Sequence, residues 1–144
     1  MKLAVGRRQF LRKLASAATA APLVLAAPVL GRGAVAPNSK IVMGCVGVGG
    51  MGTANMKVFL GLPDCRVVAV CDAYADRRQR AKELVDGQYG DASCVASGDY
   101  RELLARKEID ALMLAPQDHW HAPIATAAAK AGKDLYCEKP LGVS

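Results

Sequence analysis

The stretch Ile41-Val42-Met43-Gly44-Cys45-Val46-Gly47-Val48-Gly49-Gly50-Met51-Gly52 sets the narrowest limit on what this chain can become. An uninterrupted apolar run leads straight into G-x-G-x-x-G, and the residues that follow, up to Leu60, suit a helix that Gly61 and Pro63 would end. A strand without polar alternation is buried on both faces, as in a parallel sheet covered by helices. Each glycine then has its own task. Gly47 permits a tight turn, Gly49 has no Cβ to obstruct a pyrophosphate, and Gly52 lets helix and strand approach closely. The helix opening at Gly50 and Met51 presents unbonded N–H groups and a positive dipole end at that point. A second apolar run, Arg66-Val67-Val68-Ala69-Val70-Cys71, ends in Asp72, 20 residues beyond Gly52. A carboxylate there can accept hydrogen bonds from both hydroxyls of an adenosine ribose. Strand, glycine loop, helix and acid together point to dinucleotide binding; the bland alternative is a glycine-rich turn with an aspartate at a strand end. The Asp72 charge repels a 2′-phosphate and favours NAD over NADP, whereas Arg77 and Arg78 nearby in sequence oppose that preference.

The remainder repeats the alternation. A helix with Ala81, Leu84 and Val85 on one face is predicted to end near Gly87, and Cys94-Val95-Ala96 forms a weak third strand. Asp99, three residues before Glu102, is a cap-like opening for a short helix carrying Leu103 and Leu104. Ala111-Leu112-Met113-Leu114-Ala115 is the fourth strand, residues 122–131 form a helix closed by Gly132, and Leu135-Tyr136-Cys137 is the fifth strand. Strands alternating with helices through right-handed crossovers give an α/β fold, a doubly wound parallel sheet of the Rossmann type.

Ligands of such sheets lie outside the carboxyl ends of the strands, and two more segments fall there. Pro116-Gln117-Asp118-His119-Trp120-His121 follows strand four, so Pro116, His119, Trp120 and His121 are candidate cofactor contacts. The competing readings are His121 as a helix cap and Trp120 as packing against that helix. Two histidines without a full ligand set give no metal site. Glu138-Lys139-Pro140 follows strand five. Elsewhere a Glu-Lys pair is a solvated surface bridge; here it falls where the nicotinamide end is expected. A lysine beside a positive nicotinamide has its ammonium form disfavoured. Such a lysine takes a hydroxyl proton while hydride leaves the same carbon, or holds that hydroxyl in place. Lys139 is therefore the catalytic candidate. Glu138 and Lys139 join Gly47, Gly49, Gly50, Met51, Gly52 and Asp72 as expected cofactor contacts.

The net charge of +6 belongs to the leader. Six of the 19 Lys and Arg lie in the first 36 residues with no acid, and the remaining 13 balance the 13 Asp and Glu. The body has no basic stripe and no aromatic platform, which disfavours nucleic acid. The leader runs Gly6-Arg7-Arg8-Gln9-Phe10-Leu11-Arg12-Lys13, then an Ala-rich apolar stretch interrupted by Pro22 and Pro28, then Ala34-Val35-Ala36. A bilayer crossing needs about 20 strongly apolar residues, so the segment reads as a signal peptide over residues 1–36. Its adjacent arginines before an apolar pair resemble a twin-arginine signal. Pro37 hinders cleavage at that site, which leaves open a periplasmic protein or one anchored by an uncleaved leader. The five cysteines, Cys45, Cys65, Cys71, Cys94 and Cys137, form no C-x-x-C pair and signal neither a disulfide framework nor a zinc knuckle.

The loop of residues 47–52, Cys71-Asp72, residues 116–121 and Cys137-Glu138-Lys139-Pro140, in that order, resemble the Gfo/Idh/MocA family of oxidoreductases over nearly all of residues 39–144. Asp118-His119-Trp120-His121 and the leader look most like the exported branch, of which glucose-fructose oxidoreductase is a relative. The resemblance implies a Rossmann domain followed by a second α/β domain that supplies the substrate pocket and a homo-oligomer surface. It further implies sugars, inositols or related polyols as substrates, Lys139 in catalysis, Glu138 by the cofactor, and an Asp and a His from the second domain. That domain, and a last Rossmann strand, do not follow Glu138-Lys139-Pro140 here. Residues 37–144 are therefore expected to be a truncated NAD-binding portion of an exported enzyme. Its NAD would be loaded before passage through the twin-arginine machinery and held tightly. The alternatives are an NAD-dependent glycoside hydrolase working by oxidation and elimination, and an inactive nucleotide-binding fragment.

Overall fold

A computed structural model describes residues 39–142, all within the compact unit Ala34–Ser144; the leader lies outside the described residues. Five strands, β1 (Ile41–Val46), β2 (Cys65–Cys71), β3 (Val95–Ser97), β4 (Ala111–Leu114) and β5 (Asp134–Cys137), form one sheet in the order β3-β2-β1-β4-β5. Every pairing is parallel. The helices are α1 (Gly50–Gly61), α2 (Ala75–Tyr89), α3 (Tyr100–Ala105) and α4 (His121–Lys130), with a 3-10 turn over Asp118–Trp120. This is the doubly wound parallel sheet that the alternation implies. No helix among the described residues is long and apolar enough to cross a membrane.

Two apolar layers sandwich the sheet. Met56 and Leu60 of α1 and Ala81 and Val85 of α2 pack with Met43, Cys45 and Met113 on one face. Leu103 of α3 and Ile124 and Ala128 of α4 pack with Val46, Leu112 and Leu114 on the other. β1 alternates between the two layers, and Gly44 occupies a place where a Cβ would lie 2.8 Å from the Leu112 side chain. β2 carries an irregularity: Met43 pairs with Val67 and Gly44 with Ala69, skipping Val68. The extra residue shifts the alternation, so Val67 and Val70 face the α1/α2 layer while Ala69 and Cys71 face the other.

Several boundaries differ from the sequence expectation. α2 passes through Gly87 and stops at Gly90, whose φ of 69° is left-handed and whose amide donates to Asp86 O at 2.8 Å. An exposed glycine inside a helix costs about 1 kcal/mol relative to alanine, too little to end a helix by itself; the left-handed turn is what ends it. Leu84 is exposed, leaving Ala81 and Val85 as the buried pair. α4 begins one residue early, at His121. Asp99 does cap α3, accepting from the Arg101 amide.

Because β1 is flanked by β2 on one side and β4 on the other, the chain leaves their carboxyl ends toward opposite faces and opens a crevice there. The glycine loop and the segment after β4 meet at that crevice.

Candidate nucleotide site

The glycine loop is fixed by contacts that admit no side chain. Gly47 has φ +79°, and a Cβ on it would lie 2.4 Å from the Ala115 carbonyl and the Pro116 nitrogen. A Cβ on Gly52 would lie 1.7 Å from Gly47 O. The loop therefore crosses directly over the end of β4 while α1 presses down on it. Hydrogen bonds hold the same path: the Gly47 amide donates to Cys71 O at 2.8 Å and the Val48 amide to Asp72 Oδ2 at 3.0 Å. Asp72 is buried, and its Oδ1 accepts from the Tyr74 amide at 2.9 Å. One carboxylate thus ties the loop after β1 to the loop after β2. Each of its oxygens keeps a second acceptor site, which ribose hydroxyls can fill.

The front of the loop is open. Nothing lies within 4 Å of a Cβ built on Gly50, and one on Gly49 would meet only the Arg77 guanidinium, at 3.5 Å. Gly49 supplies no side-chain cap to α1, and the Thr53 amide closes onto Gly49 O at 2.8 Å. The amides of Gly50, Met51 and Gly52 therefore precede the first i to i−4 bond and remain for an anion at the positive end of the helix. This cradle fits a pyrophosphate.

A cleft of about 420 Å³ extends from the loop, lined among others by Gly49, Asp72, Arg77, Tyr100, Pro116 and Trp120. Pro116 and Trp120 thus stand in its wall. His119 is exposed and does not line it, while His121 is 2 % exposed inside α4, with Nδ1 3.3 Å from Asp118 O and Nε2 without a partner. Three features of the cleft escaped the sequence reading. Arg77 lies over the Tyr74 ring at 4.3 Å and Arg101 over the Tyr100 ring at 4.8 Å, two cation–π stacks whose Arg77, Tyr100 and Arg101 line the cleft. Trp120 tilts against Tyr100 with ring centroids 6.3 Å apart. Of the two arginines after Asp72, Arg78 is engaged by the Asp72 and Ala73 carbonyls, each at 3.2 Å, and Arg77 alone borders the cleft. The signal for Tyr100 and Arg101 was available: they follow the helix cap at the carboxyl end of β3.

Glu138 and Lys139 leave the sheet beside Ala115 and Pro116, since Leu114 pairs with Cys137 and the Glu138 amide donates to Leu114 O at 2.9 Å. Glu138 Oε1 accepts from Asn55 Nδ2 at 2.8 Å and from the Tyr136 hydroxyl at 3.2 Å, and Oε2 faces the Lys139 amide at 3.4 Å. These donors, Asn55 first, hold the Glu138 carboxyl below the usual range. Lys139 is exposed. Asn55, on α1, was not read from the sequence.

The thiols add no nucleophile. All five cysteines are free, and burial pushes Cys71 up to about 12 and Cys94 to about 11. Among the described residues no three His, Cys, Asp or Glu converge as metal ligands.

Comparison with known proteins places this geometry. The family model described as "Oxidoreductase family, NAD-binding Rossmann fold" matches residues 41–144. A glycosyl hydrolase family 109 protein of Shewanella sp. is 33% identical over 116 residues, covering 78% of this chain and 25% of that protein. An alpha-N-acetylgalactosaminidase of Shewanella oneidensis matches at the same identity and coverage. Among solved structures, a putative myo-inositol dehydrogenase from Sinorhizobium meliloti is 32% identical with TM-score 0.60, over 72% of this chain and 29% of that one. Myo-inositol dehydrogenase from Lactobacillus casei, in complex with NAD(H) and myo-inositol, is 26% identical with TM-score 0.62, over the same shares of both chains. The chain thus spans about a quarter of the length of the curated relatives it matches. The glycine loop, the Asp72 anchor and the sheet order agree with the family match, and the chain belongs to the Gfo/Idh/MocA family of NAD-binding oxidoreductases.

Proposed function

We propose that this chain is the nucleotide-binding part of an exported NAD-dependent oxidoreductase that acts on a sugar, an inositol or a related polyol by hydride transfer. The observation that carries the reading is the placement of Lys139 on the same sheet edge as Pro116 and the open glycine loop. The Gly50, Met51 and Gly52 amides would hold the pyrophosphate, and Asp72 the adenosine ribose. A buried carboxylate tied to two backbone amides cannot swing away from a 2′-phosphate, which favours NAD over NADP. When bound, NAD takes up hydride from a carbinol carbon. Lys139 Nζ holds the hydroxyl of that carbon or takes its proton, and the neighbouring Glu138 keeps a negative charge beside it. The naming of similar solved structures as inositol dehydrogenases supports this substrate class.

The test uses the enzyme carrying this chain, assayed for NADH formation against inositols and aldoses. Loss of a positioned proton acceptor costs roughly 10²-fold or more in turnover, so Lys139→Met is expected to lower kcat by about that factor while NADH binding by fluorescence stays within about threefold. Full turnover in Lys139→Met would remove Lys139 from the chemistry.

A second reading is favoured by the 33% identity to family 109 glycosyl hydrolases, one of them named an alpha-N-acetylgalactosaminidase. There hydride removal acidifies the neighbouring C–H, elimination breaks the glycosidic bond, and hydride returns, so the first step and the role of Lys139 are shared. Release of nitrophenol from a nitrophenyl α-N-acetylgalactosaminide without added NAD would decide for the hydrolase.

Export rests on the leader. An alignment with a Shewanella baltica glycosyl hydrolase family 109 protein covers 97% of this chain and so takes in most of residues 1–36. Replacing Arg7 and Arg8 by Lys is expected to leave the protein in the cytoplasm with its NAD; unchanged export would rule out the twin-arginine route.

A further inference from the structure

The described residues hold one arrangement that the nucleotide site does not use. Asn55 and Phe59 lie one turn apart on α1, and Tyr136 and Glu138 lie two residues apart on and just after β5. Asn55 Nδ2 donates to Glu138 Oε1 at 2.8 Å, the Phe59 and Tyr136 rings meet edge to face at 5.3 Å and 78°, and the Tyr136 hydroxyl donates to the same Glu138 oxygen at 3.2 Å. The four side chains close a square. The match of spacing is geometric: four residues of helix rise about 6 Å and two residues of strand about 6.6 Å.

Among the described residues β5 pairs with β4 alone, and residues 138–142 lie beyond that pairing. Among the described residues, the Asn55 bond is the one hydrogen bond from a helix side chain to residues 138–142. It spans 83 residues of sequence and begins on the helix whose first amides form the pyrophosphate cradle. A purely structural clasp needs no carboxylate, since the Phe59–Tyr136 contact already joins the two elements. Asn55 is a neutral donor: it fixes the Glu138 carboxylate without cancelling its charge, and that charge stands next to Lys139.

We propose that Asn55 is the positioning residue for Lys139, a strut from α1 that holds Glu138, and through the Glu138 carboxylate and the Lys139 amide holds Lys139, in a set place relative to the glycine loop. This rests on the assignment of Lys139 to the reacting end of the site.

The experiment compares Asn55→Leu, which keeps the bulk and loses the donor, with Asn55→His, which restores an N–H at similar reach, in the enzyme carrying this chain. Asn55→Leu is expected to lower kcat at least tenfold while KM for the sugar or polyol and the NADH dissociation constant stay within about threefold. Asn55→His is expected to recover most of the turnover. Placed on Lys139→Met, Asn55→Leu should add less than a twofold further loss, because a residue that acts through Lys139 has nothing left to position. Unchanged turnover in Asn55→Leu beside a crippled Lys139→Met would overturn the strut and leave the Lys139 assignment standing. Unchanged turnover in Lys139→Met would sink that assignment instead. A loss in Asn55→Leu that comes with weakened NADH binding, or that multiplies fully with Lys139→Met, would show a general packing role and also overturn the proposal.

Discussion

The two ends of the sheet's carboxyl edge are built by different means. At the glycine loop the closest restraints are backbone against backbone: Gly47 against Ala115, Gly52 against Gly47 O, the Gly47 amide on Cys71 O. Its side-chain restraints act on backbone too: Asp72 accepts from the Val48 and Tyr74 amides, and the Thr53 hydroxyl donates to Val48 O at 2.8 Å. At Glu138 and Lys139 the restraints beyond the β4 pairing come from side chains, Asn55 and Tyr136 on one carboxylate. The contacts at Gly47 and Gly52 are steric and have no graded alternative. A side-chain restraint is a hydrogen bond worth about 1 kcal/mol, and it can be changed one residue at a time. The glycine loop is the fixed part of the edge, and the Glu138–Lys139 end, where we propose that the reaction takes place, is the adjustable one.

The sharpest way to break this contrast is Gly52→Ala. Its methyl would fall 1.7 Å from a backbone oxygen that cannot turn aside. Overpacking of this kind costs about 3 kcal/mol, read as a fall in the urea midpoint together with loss of NADH binding. Gly50→Ala is the control. With nothing within 4 Å of the new Cβ, its stability should stay within about 0.5 kcal/mol, while NADH binding weakens because the methyl enters the space in front of the loop. Equal behaviour of the two variants would mean that the loop is not held by its backbone.

Asp72→Asn comes next. The amide cannot accept on both sides, so either Val48 or Tyr74 loses its partner. The cost is about 2 kcal/mol, within the range for hydrogen bonds to charged groups. Removing the charge should also shift the ratio of NADP to NAD affinity upward by about tenfold, measured by titration of each dinucleotide. An unchanged ratio would assign Asp72 to holding the loop alone and leave the choice of cofactor to Arg77, beside Gly49 in the cleft wall.

The same contrast accounts for what the sequence disclosed. Local backbone demands leave local signatures: the apolar run of β1, the spacing of Gly47, Gly49 and Gly52, the acid at the end of β2. From these the sheet, its parallel sense and the nucleotide loop were legible. Glu138 and Lys139 were legible through family resemblance and through their place after a strand. Asn55 was not, because a bond across 83 residues leaves no periodicity, and an asparagine in a helix reads as solvated. His121 shows the opposite failure. Its place after β4 suggested the cleft, yet as the first residue of α4 it turns into the protein and is buried. Val68 was equally hidden, since a one-residue bulge in β2 is set by pairing with β1 rather than by β2's own residues.

The smallest expected effect separates the two ends by pH. The Glu138 carboxyl is held below its ordinary value of 4.5, first by the Asn55 hydrogen bond, then by the Lys139 amide, the Tyr136 hydroxyl and the Lys139 charge, with partial burial opposing them. A carboxyl whose pKa is lower folded than unfolded stabilises the fold fully above the unfolded value. That contribution is lost as pH falls through the folded one. The stability difference between wild type and Glu138→Gln should therefore be constant near neutral pH and shrink as pH drops below 4.5. Comparison with Glu138→Gln isolates this group from Asp86, Asp91 and Glu108, whose carboxyls are also held low. In an Asn55→Leu background the difference should be smaller, and its decline, which still sets in near 4.5, should be complete at a higher pH, because the largest cause of the lowered pKa is gone. The Gly52→Ala penalty should stay flat across the same range, since a steric clash binds no proton. Urea unfolding of the four variants between about pH 3 and pH 7 checks both curves. A Glu138→Gln difference that does not change with pH would mean that the carboxylate is not held by these donors, and the Glu138–Lys139 end would then lack the side-chain restraint that distinguishes it from the loop.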